Sequence, residues 1–160
     1  MVKVTIACIG KIKEKFFSEA LSEYAKRLGR YCDFSITEVK DEAMSDTPSD
    51  REIDVILKKE GDRILSKIPD SAYVIALCVE GHRLSSVGLA EKLQDVMKSG
   101  KSDITFVIGG SLGLDARIKQ RADFSLSFSD MTFPHQLMRV ILSEQIYRAF
   151  TILNGGKYHK

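Results

Sequence analysis

Apolar positions fall in two alternating patterns along this chain, and each pattern predicts an element. Short β-branched runs, ended by glycine or a polar cluster, read as buried strands: Val2–Ile9, Tyr73–Val79, Asp103–Ile108 and Phe124–Phe128. Phe34–Lys40 alternates as a further strand. Between them the apolar residues recur at helical spacing. Phe17, Ala20, Leu21, Tyr24, Leu28 and Tyr31 stripe one helix, Lys15 to Tyr31. Ile53, Ile56, Leu57, Ile64 and Ile68 stripe a second, with Ser49 or Asp50 as its cap. Its basic face (Lys58, Lys59, Arg63, Lys67) reads as solvated surface. A third helix opens at Ser85 or Ser86, runs to about Lys98 and is stopped by Gly100. A short one covers Ala116–Arg121. A long one begins at Pro134, reaches about Leu153 and stops at Gly155-Gly156.

Strands alternating with helices imply an α/β fold, a mostly parallel sheet with helices on both faces, in one domain over residues 1–160. The long helix stands apart. Leu137, Met138, Val140, Ile141, Leu142, Ile146, Tyr147, Ala149, Phe150, Ile152 and Leu153 surround most of its circumference. A terminal helix touches its own sheet on one side only, so we expect a second copy of the chain on the other, as a twofold homodimer.

Composition narrows the class. Hydrophobic residues make up 44% of the 160 and charged residues 29%, the balance of a globular protein and not of a disordered or fibrous one. No apolar run spans a bilayer and the opening residues lack a secretory signal pattern, so a cytoplasmic location without membrane association is expected. The three cysteines, Cys8, Cys32 and Cys78, read as buried reduced thiols. The three histidines are scattered, and no metal site is expected. Net charge is +2, but residues 131–160 hold Arg139, Arg148, Lys157 and Lys160 against Glu144 alone. A basic end on a near-neutral body suits a phosphate-bearing partner.

Open parallel sheets bind ligands beyond the carboxyl ends of their strands. Three such ends carry informative loops: Leu77-Cys78-Val79-Glu80-Gly81, Ile108-Gly109-Gly110-Ser111-Leu112-Gly113, and Ser127-Phe128-Ser129-Asp130-Met131-Thr132-Phe133-Pro134. A Gly-Gly-x-x-Gly turn can bring backbone amides close to a ligand. It is neither a dinucleotide fingerprint nor a phosphate loop, and no nucleophile elbow is present.

The stretch Thr105–Leu114, the stretch Leu126–Ala149 with its Phe133-Pro134-His135-Gln136-Leu137-Met138-Arg139 core, and the tail Gly155-Gly156-Lys157-Tyr158-His159-Lys160 together resemble the RlmH family. That family consists of small SPOUT methyltransferases. The resemblance implies a C-terminal trefoil knot, S-adenosylmethionine as cofactor, and methylation of N3 of a pseudouridine in large-subunit ribosomal RNA by a homodimer. By motif match the cofactor loops fall on Leu77, Gly109, Gly110, Phe128, Ser129, Asp130, Met131, Thr132 and Phe133, the strand-end loops already chosen on physical grounds. The competing reading is a ribosome- or RNA-binding dimer that keeps the fold without the chemistry.

Methyl transfer from a sulfonium is an in-line displacement that needs orientation, not a metal or a covalent intermediate. The ring nitrogen of a uracil-type base carries a proton, so a base, or a cation at its carbonyl, would help. His159 and Tyr158, on a basic tail, are candidates for proton acceptance and base stacking. Arg139 is a third candidate, facing phosphate or carbonyl, with an ion pair to Glu144 as the plainer expectation. Arg148, Lys157 and Lys160 read as phosphate contacts. His135 reads as a hydrogen-bonded structural histidine.

Overall fold

A computed structural model describes residues 1–160. Five strands form one all-parallel sheet: β1 (Lys3–Ile9), β2 (Asp33–Val39), β3 (Tyr73–Arg83), β4 (Asp103–Ile108) and β5 (Phe124–Ser127), in the order β2-β1-β4-β3-β5. The helices are α1 (Lys15–Leu28), α2 (Asp50–Leu65), α3 (Ser86–Lys98), α4 (Ala116–Arg121) and α5 (His135–Leu153). The predicted caps are in place: Ser49 accepts from the Glu52 amide at 3.2 Å and Ser85 from the Gly88 amide at 3.0 Å.

The sheet is buried on both faces, which is why β1 and β4 read as unbroken apolar runs. On one face Val4, Ile6, Ile75, Ile104 and Phe106 meet Leu28 of α1, Leu89 and Leu93 of α3, and Leu142, Ile146 and Phe150 of α5. On the other, Ala7, Val74, Ala76 and Val107 meet Ile64 of α2 and Ile118 of α4.

Two boundaries differ most from the sequence reading, each for a physical reason. The first helix ends at Leu28, because Gly29 closes it and Tyr31 and Cys32 turn back to hydrogen-bond the Leu28 carbonyl. β3 continues past Val79 to Arg83, with a register slip between Leu77 and His82 against β5. Residues 78–81 are thereby released from the ladder, and Cys78, Val79 and Glu80 line the cavity described below.

The expectation about α5 is corrected in its reasoning. α5 lies in one layer between α1 and α3, so its own chain covers it on three sides. Tyr147 packs near Tyr24 and Tyr31, Tyr31 stacks on Phe150, and Ser86 of α3 donates to Gln145 at 2.8 Å. Only Leu137, Val140 and Ile141 are left half-buried beyond those contacts.

Candidate active site

All five strands point their carboxyl ends at one rim, so the loops after β3, β4 and β5 converge there. They enclose a cavity of about 250 Å³. Leu77, Ile108, Leu114, Leu126 and Phe128 give it an apolar wall, and Gly109, Gly110 and Gly113 a bare-backbone one. Gly109 is there by necessity: a Cβ on it would sit 2.4 Å from the Gly113 carbonyl oxygen, closer than any side chain tolerates. Gly113 turns the chain at φ +86°, and its amide donates to the Gly110 carbonyl at 3.1 Å.

Of the residues matched to cofactor loops, Leu77, Gly109, Gly110, Phe128, Ser129, Met131, Thr132 and Phe133 line this cavity. Asp130 does not. It points outward and pairs with Arg83, tying the 128–134 loop to the end of β3. Cys78 and Glu80, on a loop the sequence marked as a ligand site without giving either a role, also line the cavity, as do His135, read from sequence as structural only, and Lys119, which the sequence reading did not name. Glu80 and Lys119 form an ion pair, which holds the Glu80 carboxyl below its ordinary pKa. Cys78 lines the wall, half-buried, unlike Cys8 and Cys32, which are buried and whose thiols burial pushes up to about 12. Lys119, on α4, is brought to the cavity only by tertiary packing.

His135, expected to hydrogen-bond, makes no such contact and lines the wall between this cavity and a smaller acidic one holding Asp41, Glu42 and Glu60. Burial, then the nearby Arg139 charge, lowers its pKa below the usual histidine value. At neutral pH it is an uncharged imidazole, able to accept a proton.

Arg139 is corrected outright. It is fully buried and faces neither phosphate nor Glu144. Its Nη1 binds Glu38 Oε2 at 2.8 Å, and its Nη2 donates to the carbonyls of Ile9 at 2.6 Å and Gly10 at 3.0 Å. The start of α5 is thus clamped to the ends of β1 and β2.

Glu144 has other partners. Arg148 grips it at 2.6 Å, and the Tyr158 hydroxyl donates to it at 3.0 Å. The Tyr158 ring lies under the Arg148 guanidinium and edge-on to Tyr147, with centroids 4.8 Å apart. His159 Nδ1 stands 3.3 Å from Arg148 Nη1. The tail is therefore folded back along α5, and none of Arg148, Lys157, Tyr158, His159 or Lys160 lines the cavity. Lys157 and Lys160 are exposed.

Burial, then the bond to Glu144, pushes the Tyr158 hydroxyl up from 10.0 to about 12. The fold favours its neutral form, so this clasp contributes in full below pH 10 and is lost as pH climbs through about 12. Ultraviolet titration of the five tyrosines is expected to show one ionising near 12, and Tyr158→Phe to remove that step.

A parallel α/β sheet with a cavity built from glycine-bearing loops at its carboxyl rim has the architecture in which open α/β folds bind small ligands. The chain belongs to the SPOUT methyltransferase family: the family described as "Predicted SPOUT methyltransferase" matches residues 2–159. A protein of Methanococcus maripaludis (strain C5) is 55% identical over 159 residues, which cover 99% of this chain and 100% of that one. At 54% identity, with the same coverage, stands the "Ribosomal RNA large subunit methyltransferase H" of Limosilactobacillus reuteri (strain DSM 20016). Among solved structures, a methylase family protein from Haemophilus influenzae Rd KW20 shares the fold, with a TM-score of 0.54 at 14% identity over 98% of this chain and 70% of that one.

Proposed function

We propose that this protein is a single-domain, S-adenosylmethionine-dependent methyltransferase of large-subunit ribosomal RNA, acting as a cytoplasmic homodimer on N3 of a pseudouridine in the assembled ribosome. The observation that carries the reading is the rim cavity, whose lining takes in eight of the nine residues matched to the family's cofactor loops. The name of the Limosilactobacillus reuteri relative supplies the substrate class. No helix is long and apolar enough to cross a membrane. The family implies a trefoil knot in the C-terminal region.

The cavity fits the cofactor. Its apolar wall of Leu77, Ile108, Leu126 and Phe128 suits a flat purine, and Gly109 and Gly110 line it with bare backbone that a ligand can approach closely. S-adenosylmethionine, when bound, supplies a methyl group already activated on a sulfonium. What remains for the protein is orientation and a proton. His135, neutral and on the cavity wall, is the group placed to accept the proton of the base nitrogen.

Tyr158 and His159 are tied to Glu144 and Arg148, about 9 and about 15 Å along α5 from the cavity-lining Met138. If the tail acts in catalysis, it serves the cavity of a second copy, brought close by the half-buried Leu137, Val140 and Ile141 face.

The test is mass spectrometry of ribosomal RNA from a strain lacking this protein, with a methyl mark missing and then restored on adding the protein back. Calorimetry that finds no affinity for S-adenosylmethionine would leave only a non-catalytic RNA-binding dimer. In the pH profile of turnover, the acid limb is expected below 6.5, because His135 titrates lower than an ordinary histidine. His135→Gln should remove that limb; a limb left in place would clear His135 of proton transfer.

A further inference from the structure

The loop between β1 and α1 runs along the same rim, beside the Gly109–Gly113 turn, because β1 pairs with β4. It reads Lys11-Ile12-Lys13-Glu14 and leads into Lys15 and Phe16. Lys11 and Lys13 are exposed and have no ion-pair partner; Lys15 reaches only Glu19, at 3.6 Å, with both side chains largely in water. Phe16 is 64% exposed, the only aromatic ring so far out in solvent. Phe17 supports it from beneath, with ring centroids 4.4 Å apart.

Single exposed apolar residues are ordinary, but this one sits on the first turn of α1, directly after an anchored loop. The Ile12 amide donates to Glu38 Oε2 at 3.0 Å, the same oxygen that Arg139 Nη1 binds. Arg139 also holds the Ile9 and Gly10 carbonyls, where the loop begins. The buried arginine thus fixes the loop against the first turn of α5, whose His135 and Met138 line the cavity.

We propose that Lys11, Lys13 and Phe16 form an RNA-docking platform beside the cofactor cavity, the lysines on phosphates and the ring stacked on an unpaired base flanking the target nucleotide. This rests on the reading that the substrate is RNA. Arg139 acts as a positioning residue for the platform. Cations interleaved with an aromatic ring are the means by which single-stranded RNA is held, and the lysine charge favours RNA over a second protein chain as the occupant.

The experiment follows methyl transfer to ribosomes from a strain lacking the protein, over a series of salt concentrations. Phe16→Ala is expected to raise KM for ribosomes about tenfold, and Phe16→Trp to restore it. The Lys11→Ala/Lys13→Ala double variant should reduce the slope of log affinity against log salt by about 1.4, or about 0.7 per lost phosphate contact. Affinity for S-adenosylmethionine and mass by light scattering should not change. Unaltered KM and slope would overturn the platform, and so would a smaller species for Phe16→Ala, which would mean the ring covers a second copy. If the unmodified protein transfers no methyl group to ribosomes, the functional reading falls. Binding of the same variants to a fluorescein-labelled single-stranded RNA then decides the platform by the same two signatures.

Discussion

Gly109→Ala is expected to weaken the proposed binding of S-adenosylmethionine. The added Cβ would lie 2.4 Å from the Gly113 carbonyl oxygen and 2.6 Å from its carbon, both backbone atoms at the neck of the glycine turn. Neither can swing aside as a flexible side chain could, so the 109–113 turn itself must move. Overpacking of this kind costs about 1–3 kcal/mol, which converts to roughly a five- to hundredfold loss of affinity when it falls on the binding-competent form. Gly100→Ala is the paired control. Gly100 sits at φ +89° between α3 and β4, at the other end of the strands, with nothing near its Cβ position. It should lose stability to backbone strain and leave cofactor affinity untouched. Calorimetry with S-adenosylmethionine, alongside thermal unfolding, reads both. Wild-type affinity in Gly109→Ala would remove this turn from the cofactor site.

Arg139→Met is expected to be the most destabilising of the changes considered. Arg139 is fully buried and joins three segments far apart in the chain, through Glu38 and the carbonyls of Ile9 and Gly10. Methionine fills much of the volume but takes the guanidinium donor from two buried carbonyls and leaves the Glu38 oxygen with the Ile12 amide and no countercharge. Removing one member of a buried pair costs about 3–5 kcal/mol. Glu38 keeps partial access to water, with 35% of its side chain exposed, which places the expected loss near the lower figure. Arg139→Lys should rescue little, since a point-like ammonium cannot reach the three acceptors that the planar fork spans. Urea unfolding at fixed protein concentration gives the measurement: a lower midpoint with an unchanged slope. A loss under about 1 kcal/mol would show that the clamp is not holding the rim together.

Local pattern carried most of the architecture. Strands covered on both faces must be apolar throughout, and helices covered on one must repeat near every fourth residue. Val2–Ile9, Asp103–Ile108 and the α2 and α3 caps were legible for that reason, as were the strand-end loops, since parallel strands put all such loops on one side. The cavity's cofactor-matched lining was legible from the loops themselves, Asp130 excepted, because the direction a loop side chain takes is decided by its partner; here that is Arg83, distant in sequence.

From sequence alone came the element order, the parallel α/β class and the rim loops, because each depends on residues within a few positions of one another. Tertiary structure alone decided the rest. Arg139 reads as a surface cation on its helix, yet its partner Glu38 is 101 residues away, and only that contact makes it a buried clamp. α5 reads as needing a second chain, yet α1 and α3, folded from distant segments, cover most of it. Tyr158 and His159 read as a free tail, yet Glu144 and Arg148 hold them. In each case periodicity specifies how much surface a side chain must bury, while the identity of what buries it is set by strand order and layer packing, which no local window contains.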